Sequence, residues 1–298
     1  MSKNRKINIL FVLLLCGVQA IWAQRNILNA TVPEEMFVPT LEQLEQDNDR
    51  PLPYGYVGER DVLWEKQTWE IIDLDERVNF PLYYPVDTLN IDTNRRSLYD
   101  VLIKNIKNGS INDIYADPYF AEKTSLKDIE AALKLVDTTD LGIEEFNATG
   151  TVSDYNIDVR EISAYNIQAY KIRGLWYIDK RQGELKYRLL GIAPVAGDVN
   201  FLDDPDAEPI ELFWIWFPGA RWVLHEAKTF NGRNTSAPIS FDHLLNSRRF
   251  NAVIYKDDNV QGDRLVKDYI ADNALNQLLE SNRIKERIRD IEQDLWNY

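Results

Sequence analysis

Residues Tyr54 to Pro85 read YGYVGERDVLWEKQTWEIIDLDERVNFPLYYP, and the reading of this stretch sets the arrangement of the rest. Its middle, Glu59 to Val78, holds neither Gly nor Pro. Pro81 closes it, because a proline cannot continue a helix. At a helical step of about 100° per residue, Leu63, Trp64, Ile71, Leu74 and Val78 share one side. Val62, Trp69 and Ile72 lie roughly opposite, and Lys66, Glu70, Asp73 and Arg77 fill one gap between the groups. A surface helix carries a single apolar stripe. Two stripes predict a helix covered on both sides, either by layers of its own domain or by a partner.

Upstream, the N-terminus reads as a targeting signal. Lys3, Arg5 and Lys6 form a basic region and Ile7 to Val18 an apolar run too short to span a bilayer. Cleavage is expected after Ala23, with Ala20 the second choice. Cys16 is the only cysteine. It sits inside the apolar run behind Leu15, where lipoprotein processing wants a small residue, so a lipid anchor is not expected. Removing residues 1–23 leaves no cysteine for disulfides, thiolate metal sites or thiol nucleophiles. It also removes three basic and no acidic residues, taking the formal net charge from −14 to −17. That charge argues against nucleic acid and anionic membranes. Residues 24–53 form a proline-interrupted arm whose second half is acidic. It reads as a flexible terminus or as a segment that orders against a partner.

Downstream, Phe80 to Pro85 is expected to be extended. Two helices then open alike, at Ser97-Leu98-Tyr99-Asp100 and Ser125-Leu126-Lys127-Asp128. In each, the serine can accept a first-turn N–H and the aspartate sits at the positive helix end. Past a Thr-, Gly- and Asp-rich stretch at 138–151 the pattern becomes β. Strands are predicted over Tyr165–Ile178 and around Leu185–Leu190, joined by a hairpin at Lys180–Gly183. Ile210 to Phe217 reads as a central strand apolar on both faces, turned by Pro218-Gly219. Trp222 to Phe230 is read as its antiparallel neighbour. Phe250 to Lys256 makes one more strand. A helix from about Arg264 to Trp296 closes the chain.

Little chemistry stands out. His225 and His243 are eighteen residues apart with no helix-spaced partner, so a zinc site is not expected. Asp203, Asp204, Asp206 and Glu208 lack the glycine turn and terminal acid of an EF-hand and read as a solvated loop. No nucleophile elbow or phosphate-binding glycine loop is present. No cofactor, no metal and no catalytic residue are expected. The tryptophans, a residue type enriched at protein interfaces and also common in cores, point to contact surfaces.

Several strings resemble one family. DVLW-K--W-IIDL-E--N-PLYYP (Asp61 to Pro85), LLGIAPV (Leu189 to Val195) and ELFWIWFP-AR (Glu211 to Arg221) are similar to the GldN/PorN family of gliding-motility and type IX secretion proteins. So are YKD-NV--DR (Tyr255 to Arg264) and ES-RIKE-I---E-DLW-Y (Glu280 to Tyr298). The likeness runs from about Tyr54 to the end and does not include the arm. It implies a non-enzymatic protein of the Bacteroidetes periplasm, in a ring complex under the outer membrane. The implied partners are a lipoprotein of the GldK/PorK type, which supplies the membrane attachment, the motor protein GldM/PorM of the inner membrane, and further copies of the chain.

The expected fold is α+β: a helical N-terminal part, an antiparallel β-sheet and a long C-terminal helix. The divisions are a signal peptide at 1–23, the arm at 24–53, a mainly helical part at 54–150 and an α+β part at 151–298. The expected interface residues are Val62, Trp69, Ile72, Trp296 and Tyr298. The competing class is a periplasmic carbohydrate-binding or carbohydrate-active protein, for which two carboxylates in a cleft would be the mark.

Overall fold

The computed structural model describes residues 50–87, 95–201, 204, 207–231, 238–271 and 273–295. The chain divides into two units, Met1–Arg50 and Pro51–Tyr298, and the elements below belong to the second. It is a mixed α+β structure built on an antiparallel sheet of seven strands, with a long C-terminal helix.

The opening stretch is a strand, not a helix. β1 spans Val62–Asp73 and pairs along its length with β5, Ile167–Asp179. Trp64, Lys66, Thr68, Glu70 and Ile72 share one face of it, and Leu63, Glu65, Gln67, Trp69 and Ile71 the other, by the alternation of a strand. Thr68 and Glu70 are fully buried. Two polar residues inside the core face hid the two-residue period and left the apolar positions to be fitted to a helical step. Valine, isoleucine, threonine and tryptophan are at home on a pleated surface, and these residue types fill six of its twelve positions.

The other main strands are β2 (Ile114–Tyr115), β6 (Glu184–Ala196), β7 (Ile210–Glu211), β8 (Trp214–Trp216) and β11 (Val253–Asp257), while β9 (Lys228–Thr229) and β10 (Ile239–Ser240) pair with each other. The sheet runs β11-β1-β5-β6-β8-β2, with β7 also pairing β6. β5 and β6 form the long hairpin predicted at Lys180–Gly183, and Gly183 turns it at φ +65°. Gly174 lies where a Cβ would collide with the Tyr187 ring on the neighbouring strand.

The helices are α1 (Phe80–Tyr83), α2 (Leu98–Lys107), α3 (Leu126–Leu133), α4 (Asp140–Thr149), α5 (Phe217–Glu226), α6 (Phe241–Asn246), α7 (Val266–Tyr269) and α8 (Ala274–Leu295). Ser97 and Ser125 cap α2 and α3 as read from the sequence, and at Ser125 the full reciprocal box forms with Asp128. α1 replaces the extended segment expected at Phe80–Pro85, with Pro81 in its first turn. α5 replaces the strand expected at Trp222–Phe230. Pro218 is not a turn but an early helical residue, where its missing N–H costs nothing. The C-terminal helix is broken at Ile270 into α7 and α8.

Leu98 and Leu102 of α2, Ala220 and Leu224 of α5 and Leu244 of α6 bury one face of the sheet around Ile72, Tyr170, Ile192 and Ile215. α8 covers the far end of that face, with Ile284 and Ile288 against Trp64, Trp176 and Leu185. The opposite face carries a small cluster of Trp69, Ala193 and Trp214 packed with Tyr115 and Phe120.

A separate lobe precedes β5. β3 (Lys134–Thr138) and β4 (Ile157–Glu161) form a two-stranded sheet of their own, and α4 connects them.

Candidate functional site

The hairpin tip between β5 and β6 lies beside a short strap, Leu52 to Val57. Pro51 and Pro53 restrict its backbone. Tyr54 points inward while Leu52 and Tyr56 face solvent, Tyr56 with 84% of its surface exposed. Three arginines grip the strap by its backbone. Arg221 Nη2 donates to the Leu52 carbonyl at 2.7 Å, Arg188 Nη2 to Gly55 at 3.1 Å and Arg181 Nη2 to Tyr56 at 2.7 Å. The Tyr54 ring lies between two of these guanidiniums, 4.0 Å from Arg221 and 4.7 Å from Arg188. Its hydroxyl donates to Asn246 Oδ1 at 2.8 Å, and burial holds that hydroxyl above its ordinary pKa.

Each arginine is itself positioned. Arg221 of α5 makes a two-pronged ion pair with Asp242 of α6, at 2.8 and 3.2 Å, with both residues buried. Asn246 donates to the same carboxylate at 2.8 Å. Arg181 folds back on Asp179, whose carboxyl is held below the usual range by the Arg181 hydrogen bonds. Between strap and hairpin lies an open groove of about 360 Å³. Its lining includes Arg181, Lys186, Arg188 and Arg221 against a single carboxylate, Asp179. The arrangement has no nucleophile and no paired acids. Its chemistry is recognition of carbonyls, carboxylates and aromatic rings by guanidinium.

The residues singled out from the sequence lie elsewhere. Trp69 and Ile72 are buried, Trp69 with 1% exposed, and Val62 is half-buried. Trp69 is walled in by Lys256, 4.5 Å from its ring, Arg173 at 5.3 Å and Tyr119 at 5.8 Å. Arg173 is fixed in turn by Gln67 and by the Pro118 carbonyl at 2.7 Å. On the other face, buried Glu70 takes two bonds from Arg248, at 3.1 and 2.6 Å, and one from Thr68. These are packing sites in the folded chain. Trp296, Tyr298 and Ala23 lie outside the described residues, as do Asp203 and Asp206 of the acidic loop. Among the described residues, no group of three or more His, Cys, Asp or Glu could hold a metal ion. Trp222 is the one tryptophan among them more than half exposed.

The lobe offers a second surface. Leu141, Ile143 and Phe146 of α4 are exposed, with Val136 and Val159 on the strands and Tyr155 in the turn before β4. Of α4 only Gly142 is buried. Polar bonds hold the lobe together: Glu145 accepts from Ser153 N at 3.1 Å, Ser153 Oγ at 2.8 Å and Asn156 Nδ2 at 2.7 Å. Sequence reading missed both the lobe and the strap. The available signal was Thr139 ahead of Asp140 as a cap for the lobe's helix.

A family model described as "Gliding motility associated protein GldN" matches residues 57–297. The chain belongs to the GldN family. The match takes in every strand and helix described above and begins at the last residue of the strap. No curated protein sequence matches the chain. No helix among the described residues is long and apolar enough to cross a membrane.

Proposed function

We propose that this member of the GldN family is a non-catalytic structural subunit of the gliding-motility and type IX secretion machinery. It works in the periplasm of a Bacteroidetes cell. There it builds a ring with a GldK/PorK-type lipoprotein under the outer membrane and touches the GldM/PorM-type motor protein. The observation that carries this reading is the family match over residues 57–297. Two surface features agree with a role in assembly. One is a groove made for recognition, the other a lobe whose apolar side chains face outward. A rigid sheet between them suits a part that transmits force and holds its neighbours in register.

The test is a pull-down of the tagged full chain from envelope extracts, followed by electron microscopy. Ring particles that contain both this chain and a lipoprotein are the expected result. A solitary monomer whose melting temperature rises with added oligosaccharide would sink the proposal in favour of a sugar-binding protein.

A further inference from the structure

We infer that the strap is exchangeable: the segment Leu52–Val57 of one copy leaves its own groove and lies in the groove of a second copy. The inference stands on the geometry of the groove and does not depend on the ring-subunit reading.

The strap is attached without being woven into the sheet. Among the described residues, its backbone makes no hydrogen bond to another backbone, whereas β1, a few residues on, is paired with β5. What holds it are side chains of the body, with three arginines on its carbonyl oxygens and Asn246 on the Tyr54 hydroxyl. Its departure therefore breaks no strand ladder. It also leaves no carboxylate unpaired. Arg221 keeps Asp242 and Arg181 keeps Asp179, and the nitrogens released from the carbonyls turn to water. Nor does the strap fill its seat. Leu52 and Tyr56 stay exposed, and the groove remains open beside them.

A hinge is in place. Between the strap and β1 stand Gly58 and a single 3-10 turn at Glu59–Asp61. Lys180 donates its backbone N–H to the Asp61 carbonyl at 2.8 Å, and firm attachment begins there. The four residues Val57 to Arg60 reach about 13 Å when extended, so the strap can swing away without moving a strand. The occupant is a second copy because the groove is seen holding this very sequence. Every other copy brings the same carbonyls and the same tyrosine ring for the same two guanidiniums. Exchange of an identical element is a low-cost route to oligomers, since the contacts of the closed monomer are remade between chains.

The probe is a fluorescently labelled peptide, Pro51 to Gly58 of this chain, added to the purified full chain and followed by anisotropy. In the parent the resident strap competes, and binding is weak. Tyr54→Ala in the chain removes the ring that anchors the resident strap, and the peptide is then expected to bind at least about tenfold tighter. Tyr54→Phe keeps the ring and loses only the bond to Asn246. It should fall between the two, and it carries the comparison if Tyr54→Ala fails to fold. A peptide that itself carries Tyr54→Ala should bind none of the three chains. In sedimentation at rising concentration, the parent is expected to form oligomers that excess peptide disperses. Equal affinity of the peptide for all three chains would overturn the inference. So would a parent that stays monomeric, or oligomers indifferent to the peptide. Each of these failures leaves the ring-subunit reading standing, because the envelope pull-down decides that reading.

Discussion

Arg221 joins three parts of the fold at one guanidinium. It pairs with Asp242 of α6, takes the Leu52 carbonyl of the strap and lies under the Tyr54 ring. A buried carboxylate stripped of its partner is left uncompensated. Arg221→Ala is therefore expected to destabilise the protein by about 3–5 kcal/mol, read as a lower urea midpoint. Replacing both partners, Arg221→Met with Asp242→Leu, should recover most of that loss, because no buried charge then remains. A single variant as stable as the parent would show that water reaches Asp242 freely. At this scale the sequence was least legible. Nothing in the spacing of Arg181, Arg188 and Arg221 says that they converge, because they come from a hairpin tip, a strand and a helix. Trp69 shows the converse. A tryptophan beside charged residues suits an interface, yet its cationic neighbours Arg173 and Lys256 come from other strands and close over it.

Among the elements, reading succeeded where the determinant is local. The serine caps of α2 and α3 depend on four consecutive residues, and the β5–β6 hairpin on a glycine at the turn and alternation beside it. It failed where tertiary pairing inverts the local pattern. β1 tolerates Thr68 and Glu70 in its core face only because Arg248, distant in sequence, satisfies the carboxylate. α5 looks like a strand until Pro218 is placed in its first turn. The lobe escaped notice because most of its apolar residues are exposed, only Leu135 of β3 packing on the main core, and so follow no period. Its stability should follow pH through Glu145. Hydrogen bonds from Ser153 and Asn156 hold this carboxyl below the usual glutamate range. A depressed acid contributes stability that is fully present above the unfolded value and is lost as pH falls through the lower folded one. Amide exchange at Ser153, corrected for its intrinsic rate, should therefore accelerate on acidification below about pH 4.5. Glu145→Gln should already show the faster exchange at neutral pH. An exchange rate indifferent to both changes would mean that other contacts hold the lobe.

For the molecule as a whole, the sheet and its helix layer share one large core, whereas the lobe adds little to it. Opening should therefore be graded. Native-state hydrogen exchange is expected to find amides of α4, β3 and β4 exchanging through local opening, well below the free energy needed to expose β5 and β6. Equal protection throughout would show a single cooperative unit. The grip on the strap has a different consequence, for how such a protein can vary. Arg181, Arg188 and Arg221 hold backbone oxygens, which every residue type possesses, and Tyr54 is the strap residue held by its own ring and hydroxyl. The identities at Leu52, Gly55 and Tyr56 are thereby released from the task of staying attached. A strap anchored in this way can change its outward-facing letters from one lineage to another, altering what it presents to a neighbour, while the anchorage itself survives.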